Sequence, residues 1–312
     1  MNSLECRPAQ SNTLSSEDGT LTATIVICTR HRPDLLRRCL TAVSRLVPQP
    51  HEVLVVDNTP GDTNTESVAR EFGVRYTVEP VEGLSRARNR GLEESNSEIV
   101  AYIDDDSEPD PQWLGKLLAP FENEQIAATT GRVITPLSRR IPPDDCKPRP
   151  LTNRDPHWFE IATFGGLGMG GNMALRKSAC TGWKVFDERL GRGAPFRIGE
   201  ETHAFALLLS RGYAAVNLPD AIVYHPPLTR DTIEHEARNS ISYWLLLFSE
   251  FPEHRMDLLQ FLALRLRRRR LPWFRESQEP GEIISSGWRV RLKAGVSGLF
   301  LFLRTPKRGP QK

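Results

Sequence analysis

The chain has no apolar run near the roughly 20 residues needed to span a bilayer, and its first 20 residues carry no apolar h-region. Neither a membrane span nor a secretory signal is expected. Its five cysteines (Cys6, Cys28, Cys39, Cys146 and Cys180) are odd in number, scattered, and without a C-x-x-C pair. That pattern gives no disulfide framework and favours a reducing, cytoplasmic compartment over secretion. Cys28 and Cys39 fall in apolar patterns and read as small core side chains. There is no internal repeat, no P-loop and no dinucleotide glycine fingerprint.

What is present is unevenly distributed. The net charge over 312 residues is only +2, yet residues 261–312 carry 13 Lys/Arg against 3 Asp/Glu. An acidic body thus bears a basic tail. The length accommodates one large α/β domain with appendages or two small domains.

The densest chemistry lies in Ile99-Val-Ala-Tyr-Ile-Asp-Asp-Asp-Ser107. An apolar, β-branched run predicts a buried strand, and this one closes on Asp104, Asp105 and Asp106. In open α/β sheets ligands bind beyond the carboxyl ends of the strands. Adjacent carboxylates repel and are stabilised by a cation between them; hard oxygen ligands suit Mg²⁺ or Mn²⁺, which in turn clamp phosphate. A polar turn is the plain alternative. Two further strands share the design. Glu52-Val-Leu-Val-Val-Asp-Asn58 closes on Asp57, and Ala23-Thr-Ile-Val-Ile-Cys28 runs into Thr29-Arg-His-Arg-Pro33. Three strands therefore deliver polar residues to one sheet edge. Asp57 is suited to accept hydrogen bonds from a base or ribose, and Thr29 and Arg30 are placed to meet a nucleotide.

Strand and helix patterns alternate from 21 to 134: strands at 23–28, 53–57, 74–78, 99–104 and 126–134, with helices at 33–46, 66–72, 85–95 and 111–121. This predicts an α/β fold with a parallel sheet covered by helices on both faces. Residues 1–20 are expected to be disordered, and the proline-rich 136–156 stretch reads as a loop. The glycine-dense 164–172 segment permits close backbone approach to a ligand. A helix is expected at 200–211 ending at Gly212, then short strands at 214–217 and 221–224, and helical pattern from 231 onward.

In this order the residues resemble the family 2 glycosyltransferases of GT-A fold. The matching elements are Cys28-Thr-Arg-His-Arg-Pro33, Val55-Val-Asp-Asn58, Gly83-Leu-Ser-Arg-Ala-Arg-Asn-Arg-Gly91, Asp104-Asp-Asp106, Gly170-Gly-Asn-Met-Ala-Leu-Arg176, Gly199-Glu-Glu201 and Val223-Tyr-His225. The resemblance covers about residues 22–226 and implies a Rossmann-like, mostly parallel nucleotide-binding half (21–134) joined to an acceptor-binding half (135–228). A helical basic extension (229–312) lies outside it. It further implies transfer of a sugar from a nucleoside-diphosphate sugar, UDP being the favoured carrier, to an acceptor hydroxyl, with inversion and with Mn²⁺ or Mg²⁺.

Roles follow from position in those motifs. Asp106 is the expected metal ligand, with Asp104 supporting the metal or the sugar; Asp105 meets the ribose, and Asp57 the base or ribose. Arg88 is placed near base or phosphate, a solvated helix arginine being the alternative. The family's Glu-Asp pair at a helix start supplies a base for the acceptor hydroxyl. Here the pair is Glu200-Glu201, a departure that lengthens the expected base, Glu201, by one methylene; Glu200 is the other candidate. His225 is expected on the metal or diphosphate, or else as a hydrogen-bonded structural histidine. Residues 165–172 would wall the donor sugar, and Trp158 and Trp183 would stack on a sugar ring or serve as packing.

Arg265, the run at 267–270 and the amphipathic segments 258–266 and 299–303 suggest peripheral attachment to an anionic membrane. A nucleic-acid partner is not expected, since no aromatic interleaving accompanies the arginines. The bland alternative is helices packing on the catalytic domain, with a homodimer included. A catalytically silent sugar-nucleotide-binding module is the rival to an enzyme, motivated by the Glu201 departure.

Overall fold

The computed structural model describes residues 21–59, 61, 63–136, 148–226, 233–266 and 288–306. The expectations for residues 1–20, for Cys6 and Cys146, for most of the proline-rich loop and for the arginine run at 267–270 lie outside them.

The first half builds as its pattern dictates. Strands β1 (Ala23–Thr29), β2 (Glu52–Asp57), β3 (Arg75–Val78) and β4 (Ile99–Asp104) are joined by helices α1 (Pro33–Val43), α2 (Thr63–Glu71) and α3 (Leu84–Glu94). They form a parallel block in the order β3-β2-β1-β4. Pro33 opens α1, where its missing N–H costs nothing. Alternate strand residues serve opposite faces. Val26, Leu54, Val56, Val100 and Tyr102 enter one core; Ile25, Ile27, Val55, Ile99 and Ile103 enter the other.

Beyond β4 the expected parallel pattern breaks. After the short β5 (Glu108–Pro109), α4 (Trp113–Leu118), β6 (Ile126–Ile134) and α5 (Trp158–Thr163) comes β7 (Asn172–Arg176), inserted antiparallel between β4 and β6. The sheet has eight strands in the order β3-β2-β1-β4-β7-β6-β8-β5. Met173, Ala174 and Leu175 are buried on both faces, so this strand lacks the alternation by which a half-exposed strand announces itself. The two short strands expected at 214–217 and 221–224 are one strand, β8 (Ala214–Tyr224). Its register against β6 slips between Leu218 and Ile222. The slip accommodates Pro219, whose carbonyl accepts from Arg132 Nε at 2.9 Å.

Helix α6 (Glu200–Ser210) precedes β8. The extension folds as α7 (Ile233–Glu250), α8 (Arg255–Leu266) and α9 (Trp288–Arg304). Its first helix is no appendage: Tyr243, Leu246 and Leu247 belong to the same core as Val26 and Tyr102.

Candidate active site

The carboxyl ends of β1 and β4, the glycine segment, the loop before α6 and the start of α6 enclose one cleft of about 480 Å³. Its floor is the acid trio. Thr29 Oγ1 donates to Asp105 Oδ2 at 2.7 Å, and Arg32 Nη1 lies 3.0 Å from Asp105 Oδ1 and 3.1 Å from Asp106 Oδ2. Asp105 is buried, and desolvation pushes its carboxyl up to about 6 against the pull of Thr29 and Arg32. Asp106 behaves oppositely: burial alone would raise it, but His225 and the nearby arginines hold it below the ordinary range. The Asp106 carboxylate in turn raises His225.

Asp104, Asp106 and His225 offer ligand atoms that all lie within 4.8 Å of one another. His225 Nε2 lies 3.1 Å from Asp106 Oδ1 but misaligned, so this buried oxygen has no hydrogen-bond partner. Two carboxylates, one imidazole and an orphaned oxygen facing a cleft fit a hard divalent cation.

The opposite wall is built on α6. Gly199 enters it in the left-handed region at φ 88°, where a side chain would also meet the Tyr243 ring at 2.6 Å. Glu200 and Glu201 then fall in the first turn, where carboxylates suit the helix dipole. Arg88 Nη1 donates to Glu200 Oε1 at 2.9 Å and its Nη2 lies 3.7 Å from Asp104 Oδ1. Its side chain is 4% exposed, so the solvated-arginine reading is corrected: α3 buries Arg88 as a cation bridging the two walls. Glu201 carries no ion pair among the described residues. Desolvation, reinforced by the negative charge of Glu200, drives its carboxyl well above the ordinary range. The glycine segment lets the backbone pass close, since a Cβ at Gly171 would sit 2.2 Å from Asp104 Oδ2.

The other expected residues are placed as follows. Arg30 lines the cleft mouth and pairs with Glu82. Asp57 is fully buried, accepting from the Thr59 N–H at 2.8 Å and the Tyr76 hydroxyl at 3.0 Å; the cleft wall there is Asn58. For the two tryptophans the packing alternative is the one realised. Trp158 packs edge-on against Phe159 and His254, and Trp183 lies under Arg211 with its Nε1 on the Ala179 carbonyl. Neither lines the cleft. Cys28, expected in the core, is only part-buried and lines the cleft floor, its thiol pushed up to about 12 chiefly by burial. Sequence reasoning missed Arg32, Arg192 and Arg197, which line the cleft. The signal for the last two was present in the glycine–arginine alternation just before the acid pair.

The family model described as glycosyl transferase family 2 matches residues 24–181. The chain belongs to this family. Glycosyltransferase AglE of Haloferax volcanii is 32% identical over 117 residues, 35% of this chain and 38% of AglE. The chain thus spans well under half of that relative's length. The succinoglycan biosynthesis protein ExoM of Rhizobium meliloti is 28% identical over 227 residues, 66% of this chain and 67% of ExoM. Among solved structures, the mannosyltransferase PcManGT of Pyrobaculum calidifontis, in complex with GDP-Man and Mn²⁺, superposes with a TM-score of 0.58 at 15% identity, covering 92% of this chain and 76% of that one. Staphylococcus aureus TarS (residues 1–349) does so with a TM-score of 0.56 at 16% identity, covering 89% and 81%. The fold is GT-A, with its mostly parallel sheet interrupted by an antiparallel strand.

Proposed function

We propose that this family member moves a sugar from a nucleoside-diphosphate sugar to an acceptor hydroxyl by a single inverting displacement. The observation that carries this is the convergence of two unlike acid groups on one cleft. The trio at the end of β4 has an orphaned oxygen; the carboxyl at the start of α6 has a raised pKa.

Asp106, Asp104 and His225 would hold a divalent cation, Mn²⁺ or Mg²⁺, which when bound stabilises negative charge on the departing diphosphate. Asp105 and Thr29 are hydrogen-bonded to each other at the floor, suited to a ribose hydroxyl. Arg30, Arg32, Arg192 and Arg197 edge the same cleft, suited to phosphate charge. Glu200 is engaged by Arg88, which leaves Glu201 to accept the proton of the attacking hydroxyl. Once ionised, a carboxylate whose proton affinity has been raised is the stronger acceptor. As the acceptor oxygen bonds to the anomeric carbon, the bond to the diphosphate oxygen breaks on the opposite face and the proton passes to Glu201.

Calorimetric titration of UDP, GDP, dTDP and ADP, with and without Mn²⁺, on wild type and Asp106→Ala tests the donor half. Metal-dependent binding of one nucleotide, lost in the variant, is the expected result, and it distinguishes the favoured uracil carrier from guanine. Failure of every nucleotide to bind would overturn the reading. Binding without turnover of any acceptor would leave the silent sugar-nucleotide-binding module.

A further inference from the structure

Seven of the eleven large hydrophobic side chains exposed among the described residues belong to α8 and α9: Met256, Leu259 and Leu262, then Val296, Leu299, Phe300 and Leu303. Single exposed hydrophobics need no explanation, but two helical rows do. Those on α9 fall at i, i+3, i+4 and i+7, one continuous stripe, and Leu303 is 70% exposed.

The stripe is held outward. On its other side α9 is seated on α7: Gly298 fits against Ile241 so closely that a Cβ would come within 2.9 Å, and Ser242 Oγ donates to the Gly298 carbonyl at 3.2 Å. Leu301 and Phe302 pack toward the core. From Val296 to Leu303, α9 presents apolar side chains both inward and outward, and the outward row is left uncovered among the described residues.

The charge decides what covers it. From residue 283 to the end of the chain there are seven Lys/Arg and no Asp or Glu. Within α9 the Arg304 guanidinium lies over the Phe300 ring, 5.2 Å from its centroid, an apolar surface edged by a cation. A second copy of this face would oppose like charges; an anionic lipid surface would neutralise them.

We propose that the outer face of α9 docks onto an anionic membrane surface, Val296, Leu299, Phe300 and Leu303 entering the acyl boundary while Arg304 beside them meets lipid phosphate. No helix of the described residues is long and apolar enough to cross a membrane, so the contact is interfacial. The proposal is independent of the transfer reading, and its test uses no activity.

The test is co-sedimentation of the full chain with phosphatidylcholine vesicles, with and without phosphatidylglycerol, together with sedimentation velocity in the absence of lipid. Binding is expected only to the anionic vesicles and is weakened by salt. Leu299→Glu with Leu303→Glu is expected to lower it by roughly 100-fold or more. Val81→Glu, at an exposed hydrophobic remote from these helices, leaves it unchanged. Because the substituted side chains are exposed, a circular dichroism spectrum like that of wild type is expected. Binding that ignores the double substitution would overturn the proposal. So would a lipid-free dimer that Phe300→Glu dissociates without any vesicle binding, which would assign the face to a second copy.

Discussion

Among the described residues, two clusters share one composition, two acids and a histidine, and have opposite fates. Asp104, Asp106 and His225 lie at the cleft; Asp187, His203 and Glu250 lie where the loop before α6, α6 itself and α7 meet. In each the ligand atoms lie within 4.8 Å of one another. In the second, Arg189 fills the space a cation would take, bonding Asp187 Oδ2 at 2.5 Å and also Glu250, while His203 Nε2 lies 2.9 Å from Glu250 Oε2. In the first, Arg32 approaches from the edge with 38% of its side chain exposed, Arg88 comes no closer than 3.7 Å and only to Asp104, and Asp106 Oδ1 has no hydrogen bond although His225 Nε2 is 3.1 Å away. Composition and spacing alone do not make a metal site; what counts is whether the chain has already supplied the cation. The second cluster instead ties α7 to α6, and with the Tyr243 hydroxyl 2.8 Å from Thr202 Oγ1 it fixes the helix whose first turn carries Glu200 and Glu201.

The largest expected effect breaks the filled cluster. Arg189→Met leaves Asp187 and Glu250 partly desolvated without their main cation. Removing one member of such a group costs roughly 3–5 kcal/mol, read as a lower urea midpoint at unchanged slope. Added Mn²⁺ is expected to restore part of that stability in this variant and none through this cluster in wild type.

The cleft cluster is expected to answer in the other sense. Asp106→Ala lowers turnover on the order of 10²–10³-fold, the scale of losing one charge-stabilising group, and abolishes the gain in melting temperature with Mn²⁺. The urea midpoint falls much less than in Arg189→Met, because the pairing that holds Asp106 below its ordinary range is partly offset by relief of repulsion from Asp104 and Asp105. A stability loss like that of Arg189→Met would place Asp106 in the structural class instead.

Acid probes the filled cluster directly. Burial alone would raise Asp187, yet Arg189 holds it down at about 2, below its ordinary 3.8, and Glu250 is likewise lowered by His203 and Arg189 against the effect of burial. An acid whose pKa is depressed by folding stabilises the protein above its unfolded value and loses that contribution as pH falls through the folded one. Asp187 therefore adds about 2 kcal/mol that disappears between pH ~4 and ~2. In Arg189→Met this portion of the acid unfolding curve flattens.

The two clusters also differ in how far the sequence discloses them. The acid trio was legible because it terminates an unbroken apolar strand: Ile99 to Asp104 forms β4 where expected, and Thr29 and Asp105 meet across the ends of adjacent strands. Glu200 and Glu201 were legible from their place at a helix start. Asp187, His203 and Glu250 were not, because 47 residues separate His203 from its partner on α7 and nothing local marks either. β7 was missed for a related reason: its pairing with β4 is antiparallel and closes a long loop, so no strand–helix alternation announces it. Trp158 and Trp183 show the opposite case, two readings that the sequence left open. An aromatic ring has an affinity for sugars and for apolar cores alike, and only the fold decides between them.

The smallest expected effect is the most discriminating for the comparison, since it exchanges the arginine of the cleft cluster as Arg189→Met exchanges that of the filled one. Arg32→Gln removes a cation 3.1 Å from Asp106 Oδ2, as Arg189→Met removes one from Asp187. Because Arg32 is more than a third exposed, its ion pairs are screened and its loss costs at most about 1 kcal/mol. The same substitution takes a like charge away from the cation site. Mn²⁺ titrated alone, without nucleotide, is therefore expected to bind a few-fold more tightly, roughly 1 kcal/mol at an effective dielectric near that of a protein surface. Tighter metal binding at nearly unchanged stability would set Arg32 apart from Arg189 as a charge at the cleft rim. A stability loss as large as that of Arg189→Met would mean that the two clusters are alike after all, both filled by their own arginine.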